Sequence, residues 1–454
     1  MTLLAIISLF VVAIALVGFS VGRHLTYEGY WLNSRKTARW ALVCTIVATQ
    51  VGAGTTLGIA SSSATSGTGF GLVALVTTVI GFLILPVLVP RVQRAAEISG
   101  EFTLTGLLRW RFGRLTGTVA ALVVAVGYLG LLAAQLVAGA ILLEQLTSLD
   151  WSFALVLSSG LVILYSAFAG LKGDLITDIF LFLFMAVLAL FTVYALGTTL
   201  QSSPGVFGAI PAEALSPTRF GGLTYLIGGI LLGTLVPLIS LEMWLRVFAA
   251  ESQATATSAL RWSAVLVIPF YLLALAVGLI STVVMAAPTN PNLVYLEYLA
   301  RILPSTLMTI VYLGLMATVI STTNTLQIVL SAVVHRDILP GQTKSVAVSR
   351  LVTAATGTAA GVAAYFVRDI VDLVVSGFFY IVLLGPLLLI LLRGAPAQPA
   401  SSGRDALTAL ALLAGTVATT AGLPIMGPGA VIVGVLITSL LLMALALFSP
   451  KARA

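Results

Sequence analysis

Asp178 and the run Ser321, Thr322, Thr323, Asn324 and Thr325 are the side chains best suited to chemistry in an otherwise oily chain. Asp178 lies in KGDLITDIFLFLF, with Asp174 one turn earlier and expected nearer the interface. An intramembrane carboxylate is costly and marks an ion path by default; the plainer role is a structural hydrogen bond near a helix end. The five polar residues interrupt an apolar stretch from Leu303 to Val334. One hydroxyl in a membrane helix usually bonds back to a carbonyl one turn earlier. Five in succession point all around the helix, so that role suits them poorly. A hard cation such as Na⁺ takes about five oxygens from hydroxyls and carbonyls. Ser321 and Thr322 supply hydroxyls, and the Thr318 carbonyl can join them if the helix opens slightly.

The elements that must hold these groups are membrane helices. Of 454 residues, 59% are hydrophobic and 8% charged, and the mean hydropathy is +1.14. Soluble domains carry roughly a quarter charged residues. A span needs ~20 apolar residues. The apolar runs give thirteen spans: 2–22, 38–63, 69–90, 116–146, 151–170, 174–198, 221–244, 258–287, 304–334, 351–367, 369–392, 405–423 and 428–448. The first run has no basic residue before it and reads as a retained span, since a cleavable leader has a basic start. With the N-terminus outside and the C-terminus cytoplasmic, only Arg219, Arg301 and Arg368 of the 22 basic residues fall on the outer side. That asymmetry obeys the positive-inside rule. The pI near 9.7 therefore reflects topology, and nucleic acid is not implied. The expected location is the plasma (inner) membrane.

Two spans are interrupted. ALVCTIVATQVGAGTTLGIASSS carries TQVGAG at its centre, and five spans later YLIGGILLGTLVPLIS carries Gly228, Gly229, Gly233 and Pro237. Glycine costs a helix ~1 kcal/mol relative to alanine, and unwound backbone in a membrane is tolerated where it lines a cavity. Interrupted spans at corresponding positions of two halves point to a central binding site; close packing by small residues is the alternative. Gln135, mid-membrane in the fourth span, either contacts a substrate or bonds a neighbouring helix. Glu144 and Glu242, near span ends, are expected to be solvated. Cys44, the single cysteine, can form no intrachain disulfide and reads as a core residue. His24 and His335 fall in expected cytoplasmic loops, and no His/Cys/Asp cluster supports an enzyme.

Several stretches in order resemble the sodium:solute symporter family: TQVGAGTTLG (49–58), RWRFG (109–113), AAQLVAGAILLE (133–144), YSAFAGLKGDLITDIF (165–180), MWLRVFAAES (243–252) and VISTTNT … HRDI (319–338). The resemblance covers most of residues 1–395. It implies an all-α polytopic membrane protein, a single transporter domain over 1–454 with a five-plus-five inverted-repeat core. The leading helix is 2–22, the first repeat 38–198, the second 221–392 and the trailing pair 405–448. It implies a Na⁺ site formed by the carbonyls of Ala48, Val51 and Thr318 and the hydroxyls of Ser321 and Thr322. Thr177 and Asp178 fall on the family's Thr-Asp pair, associated with a second ion or the inward exit. The implied substrate cavity is lined by Gln50, Thr55, Tyr128, Gln135, Thr234 and Phe379 or Tyr380. It is expected to be small, mostly apolar and neutral. The Lys and Glu of sugar-transporting members find no match in the corresponding spans, and no mid-span arginine is expected, which disfavours sugars and acidic sugars.

The expected function is sodium-coupled import of a small organic solute, an amino acid or a monocarboxylate, by alternating access. The expected partners are the solute, Na⁺ and the lipid bilayer. A proton-coupled symporter using Asp178, or a transport-like sensor or channel, is the alternative.

Overall fold

The computed structural model describes residues 3–285, 290–339, 344–392, 402–426 and 429–447. Arg393, Lys451 and Arg453 of the charge pattern lie outside them. The described residues are helical apart from connections, with one isolated bridge and no strand.

In chain order, α1 is Leu3–Gly22, α2 is Arg39–Gln50, α3 is Gly54–Ser66, α4 is Gly69–Ser99, α5 is Arg114–Thr147 and α6 is Trp151–Ser202. Then come α7 (Gly222–Ala249), α8 (Gln253–Val284), α9 (Ser305–Ile338), α10 (Val346–Phe366), α11 (Ile370–Val382), α12 (Gly385–Leu392), α13 (Ser402–Met426) and α14 (Ala430–Leu447). Eight of these helices are long and apolar enough to cross a membrane, and up to ten spans result if each of two bent pairs counts as one. The thirteen spans read from sequence also require α1 and α14 and a division of the 52-residue α6. That division falls at Gly170, whose backbone is non-helical (φ 55°, ψ −171°). A Cβ there would meet the Tyr30 ring at 2.8 Å and the Tyr30 carbonyl at 2.9 Å, so both conformation and space call for glycine.

The breaks have visible causes. α2 ends where Val51 leaves helical geometry (φ −94°, ψ 60°), and α3 restarts with a π-turn over Gly54–Gly58, bent 49° away. The free Ala53 N–H donates to Gln135 Oε1 of α5 at 2.9 Å, so a buried backbone donor is satisfied from a neighbouring helix. α7 is interrupted at Thr234 and again at Ser240, with Pro237 between them. The two broken helices are tied at their ends. Thr37 N–H donates to the Ala249 carbonyl at 3.0 Å, and Glu251 N–H donates to the Thr37 carbonyl at 3.2 Å. α9 is the central element, buried from Val311 almost continuously to Asp337, and it packs on α5 and α6. The outward faces carry large apolar side chains such as Leu83, Val156, Leu190 and Leu231, the surface a bilayer solvates.

Candidate functional site

Three pairs of polar residues, each spaced by four, stand on single faces of three helices: Thr45/Thr49 on α2, Asp174/Asp178 on α6 and Ser321/Thr325 on α9. They converge on the fully buried side chain of Arg246 from the end of α7. Its Nη2 lies 3.2 Å from Asp178 Oδ2 and 3.3 Å from Asp174 Oδ2. The same nitrogen donates to Thr49 Oγ1 at 2.5 Å and Thr325 Oγ1 at 2.6 Å, and Nε donates to Thr45 Oγ1 at 2.9 Å. Ser321 donates to Asp178 Oδ1 at 2.5 Å, Thr325 to Asp174 Oδ2 at 2.8 Å, and Thr45 to Asp178. One cation and two acids therefore join four helices. Arg246 was expected in a cytoplasmic loop. It lies instead in the last turn of α7, on the helical piece that starts anew at the Ser240 break, with its side chain buried in the protein, which corrects that expectation. Asp174, expected nearer the interface, is as buried as Asp178.

Every member of the STTNT run is buried and separately bonded. Thr323 bonds back to the Val319 carbonyl, and Asn324 Oδ1 accepts from Ser166 at 3.1 Å. Thr322 Oγ1 donates to the carbonyls of Thr49 at 3.1 Å and Ala48 at 3.4 Å, beside the α2–α3 break. The contact is close: a Cβ on Gly52 would meet Thr322 Oγ1 at 2.6 Å. Of the five expected sodium ligands, Ala48 and Thr322 meet here, whereas the Ser321 hydroxyl is given to Asp178 Oδ1 at 2.5 Å. Val51 forms the break itself, and Thr318, one turn earlier on α9, sends its hydroxyl to the Leu315 carbonyl at 2.8 Å. The donors gathered here are carbonyl and hydroxyl oxygens, the set a hard cation takes. Among the described residues no group of three or more His, Cys, Asp or Glu could hold a metal ion. Thr177 turns away from the arginine cluster and bonds Tyr165 at 2.6 Å and the Gly173 carbonyl at 3.0 Å.

A cavity of about 180 Å³ opens beside the break and between α2, α3, α4, α7 and α11. Gln50, Thr55, Gln135 and Phe379 line it, as do Thr49 and Thr322. Tyr128, Thr234 and Tyr380 are not among its lining residues. Tyr128 lies behind it, Thr234 bonds back to the Ile230 carbonyl at 2.7 Å, and Tyr380 reaches Thr420 at 3.3 Å. Gln135 serves the helix-bonding role through Ala53 and also faces the cavity. Glu242, expected to be solvated at a span end, is only 6% exposed, lines the cavity and accepts from Tyr128 Oη. The cavity wall therefore carries a carboxyl group that was expected in solvent. The break at Ser240 accounts for this, because it places Glu242 in the first turn of the next helical piece.

The remaining motifs meet at the end of α9. Thr103 and Thr105 donate to Asp337 Oδ2 at 2.8 and 2.6 Å, Arg109 pairs with Asp337 at 3.3 Å, and Arg336 pairs with Glu101 at 2.9 Å. His335 is buried here too, its ring 5.9 Å from Trp31 in a stacked arrangement, which corrects its expected place in a loop. Cys44 is half-buried.

Broken helices beside a buried polar cluster are an arrangement in which transporter folds place their binding sites. Over 99% of this chain and 98% of the other, the fold matches a Na⁺-coupled sialic acid symporter in a substrate-bound outward-open state, with a TM-score of 0.75 and 18% identity. It also matches a nucleobase-cation-symport-1 family transporter in a closed conformation, with a TM-score of 0.60, 16% identity and coverage of 93% and 95%. The sodium:solute symporter family profile matches residues 30–383, and the chain belongs to that family. Membership places it among transporters rather than enzymes. The sodium/pantothenate symporter of Escherichia coli is 27% identical over 150 residues, covering 33% of this chain and 31% of that protein. The uncharacterized symporter YodF of Bacillus subtilis is 25% identical over 322 residues, covering 65% and 62%. A putative sodium-dependent multivitamin transporter of Drosophila melanogaster is 26% identical over 276 residues, covering 58% and 44%. The matched stretches span less than two thirds of each of these relatives.

Proposed function

We propose that the chain is a sodium-coupled symporter that imports a small organic solute by alternating access. It resides in the plasma membrane with its N-terminus outside and its C-terminus cytoplasmic. Residues 38–198 and 221–392 form the two inverted repeats, flanked by 2–22 and 405–448. The observation that carries the reading is Thr322 of α9 bonded to the α2 carbonyls of Ala48 and Thr49 at the point where that helix breaks. Na⁺ takes the carbonyls of Ala48, Val51 and Thr318 and the hydroxyls of Ser321 and Thr322. An ion held between two helices favours the state in which those helices are close, and a ligand shifts such an equilibrium only through differential affinity. The solute binds in the adjoining cavity, which shares Thr49 and Thr322 with this neighbourhood. Asp178 links the ion site to the Arg246 cluster through Ser321.

Purified protein titrated with NaCl against choline chloride at constant ionic strength tests this. The melting temperature rises saturably with Na⁺ in the wild type and does not rise in Ser321→Ala/Thr322→Ala. Equal response to Na⁺ in the two proteins refutes the site. Coupling to protons instead gives pH-gradient-driven uptake without sodium, lost in Asp178→Asn.

A further inference from the structure

The cavity contains one carboxylate that the sodium site does not use. Glu242 stands in its wall with Oε2 accepting from Tyr128 Oη. The Tyr128 oxygen in turn accepts the Leu241 N–H at 2.7 Å. Its lone pair is thus occupied from one side and its proton is directed at the carboxylate on the other. Tyr128 orients Glu242 while using one of the roughly four acceptor positions of an ionised carboxylate.

A buried carboxylate is expensive unless a cation or several donors compensate it. Among the described residues no ion pair reaches the Glu242 side chain. Besides Tyr128, the Ser240 side chain and the Glu242 backbone hydrogen-bond this carboxylate, and the Arg246 charge one turn on acts on it from a distance. The Arg246 guanidinium is itself given to Asp174 and Asp178 and reaches only the backbone carbonyl of Glu242, at 3.4 Å. The described lining residues include no Lys, Arg or His, and the rest of the wall is largely aliphatic and aromatic. The Glu242 carboxylate therefore has no ion-pair partner of its own and faces a partly open cavity of about 180 Å³.

We propose that Glu242 is the specificity-determining residue of the cavity and that it selects a small solute carrying a protonated amine. This rests on the symport reading above and narrows it: an amino acid or simple amine is accepted, and a plain monocarboxylate is refused. A monocarboxylate brings like charge toward Glu242 with no lining cation to offset it. A neutral solute leaves the carboxylate without an ion-pair partner of its own. An ammonium group supplies up to three donors and the missing charge. An amino acid's own carboxylate can turn toward the Thr49 and Thr322 side of the cavity, where the coupling ion is proposed to sit.

The test uses the full-length protein in saturating NaCl and reads melting temperature. The probes are small amino acids and aliphatic amines, each paired with the monocarboxylate of the same carbon skeleton. The expected result is a saturable shift with amine-bearing members only. Glu242→Gln weakens that shift by roughly tenfold or more in half-saturating concentration, as expected for losing a charge-assisted hydrogen bond. Glu242→Asp, which keeps the charge, retains part of it, and the Na⁺ response alone persists in both variants. The proposal is overturned if monocarboxylates bind as well as their amine partners, if no amine-bearing probe binds while the Na⁺ response is intact, or if Glu242→Gln leaves amine affinity within about twofold. Loss of the Na⁺ response in Glu242→Gln overturns it too, by assigning the carboxylate to the ion. Absence of any Na⁺ response in the wild type instead refutes the symport reading, which the same plate reports separately.

Discussion

Replacing Arg246 with methionine leaves Asp174 and Asp178 buried with no cation between them, and removes the donor shared by Thr49 and Thr325. Methionine fills similar apolar volume, so the loss is electrostatic before it is steric. Removing one partner of a buried ion pair costs about 3–5 kcal/mol. Unfolding entropy of about 2.1 cal/mol/K per residue over 454 residues makes 1 kcal/mol worth about 1 °C of melting temperature. Arg246→Met is therefore expected to melt about 3–5 °C below wild type. Adding Asp174→Asn and Asp178→Asn removes the stranded charges and keeps an acceptor for Thr325 and for one of Ser321 and Thr45, while the other hydroxyl can accept from the new amide NH2. The triple variant is expected to recover most of the loss, since replacing a buried ionic group as a whole is often near neutral. Arg246→Lys does not substitute, because a single ammonium cannot keep the Nη2 contacts to the two acids, Thr49 and Thr325 together with the Nε contact to Thr45. The assay is thermal unfolding in choline chloride without sodium, so that ion binding near Ser321 does not enter. A drop under about 1 °C in the single variant, or a triple variant less stable than the single, refutes the view that Arg246 compensates these carboxylates.

Two further substitutions probe the break in α2–α3. Gly52→Ala drives a methyl toward Thr322 Oγ1 and is expected to weaken the Na⁺ response in the thermal titration and to lower the sodium-free melting temperature by about 1–3 °C through overpacking; an unchanged Na⁺ midpoint contradicts it. Gln135→Leu strands the buried Ala53 N–H at a cost of about 1–3 kcal/mol, read as a lower melting temperature, whereas Gln135→Glu keeps an acceptor and is expected to lose less.

The sequence made the helices legible because membrane spans announce themselves by length and by oiliness, and it located both breaks because glycine and proline cluster there. The neighbourhood of Ser321 and Thr322 was legible because five consecutive polar residues have no simple packing role. The arginine cluster was hidden by a different physics. Arg246 stands close to the end of an apolar run, where positive charge ordinarily meets water, and the helical piece that starts anew at Ser240 carries it into the protein interior. The signal available in one dimension was the spacing of four within Thr45/Thr49, Asp174/Asp178 and Ser321/Thr325, which puts each pair on one helix face. Glu242 was missed for the same reason as Arg246. Long-range partners such as Arg109 with Asp337, or Gln135 with Ala53, depend on which helices become neighbours, and no local pattern encodes that.

Equilibrium binding of radioactive sodium to the purified protein, competed by unlabelled sodium, lithium and potassium, tests the central claim most directly. The account predicts saturable binding displaced by sodium and not by potassium, abolished in Ser321→Ala/Thr322→Ala and retained in Glu242→Gln. Saturable sodium binding that survives loss of both hydroxyls, or no sodium binding by a folded wild-type protein, contradicts it.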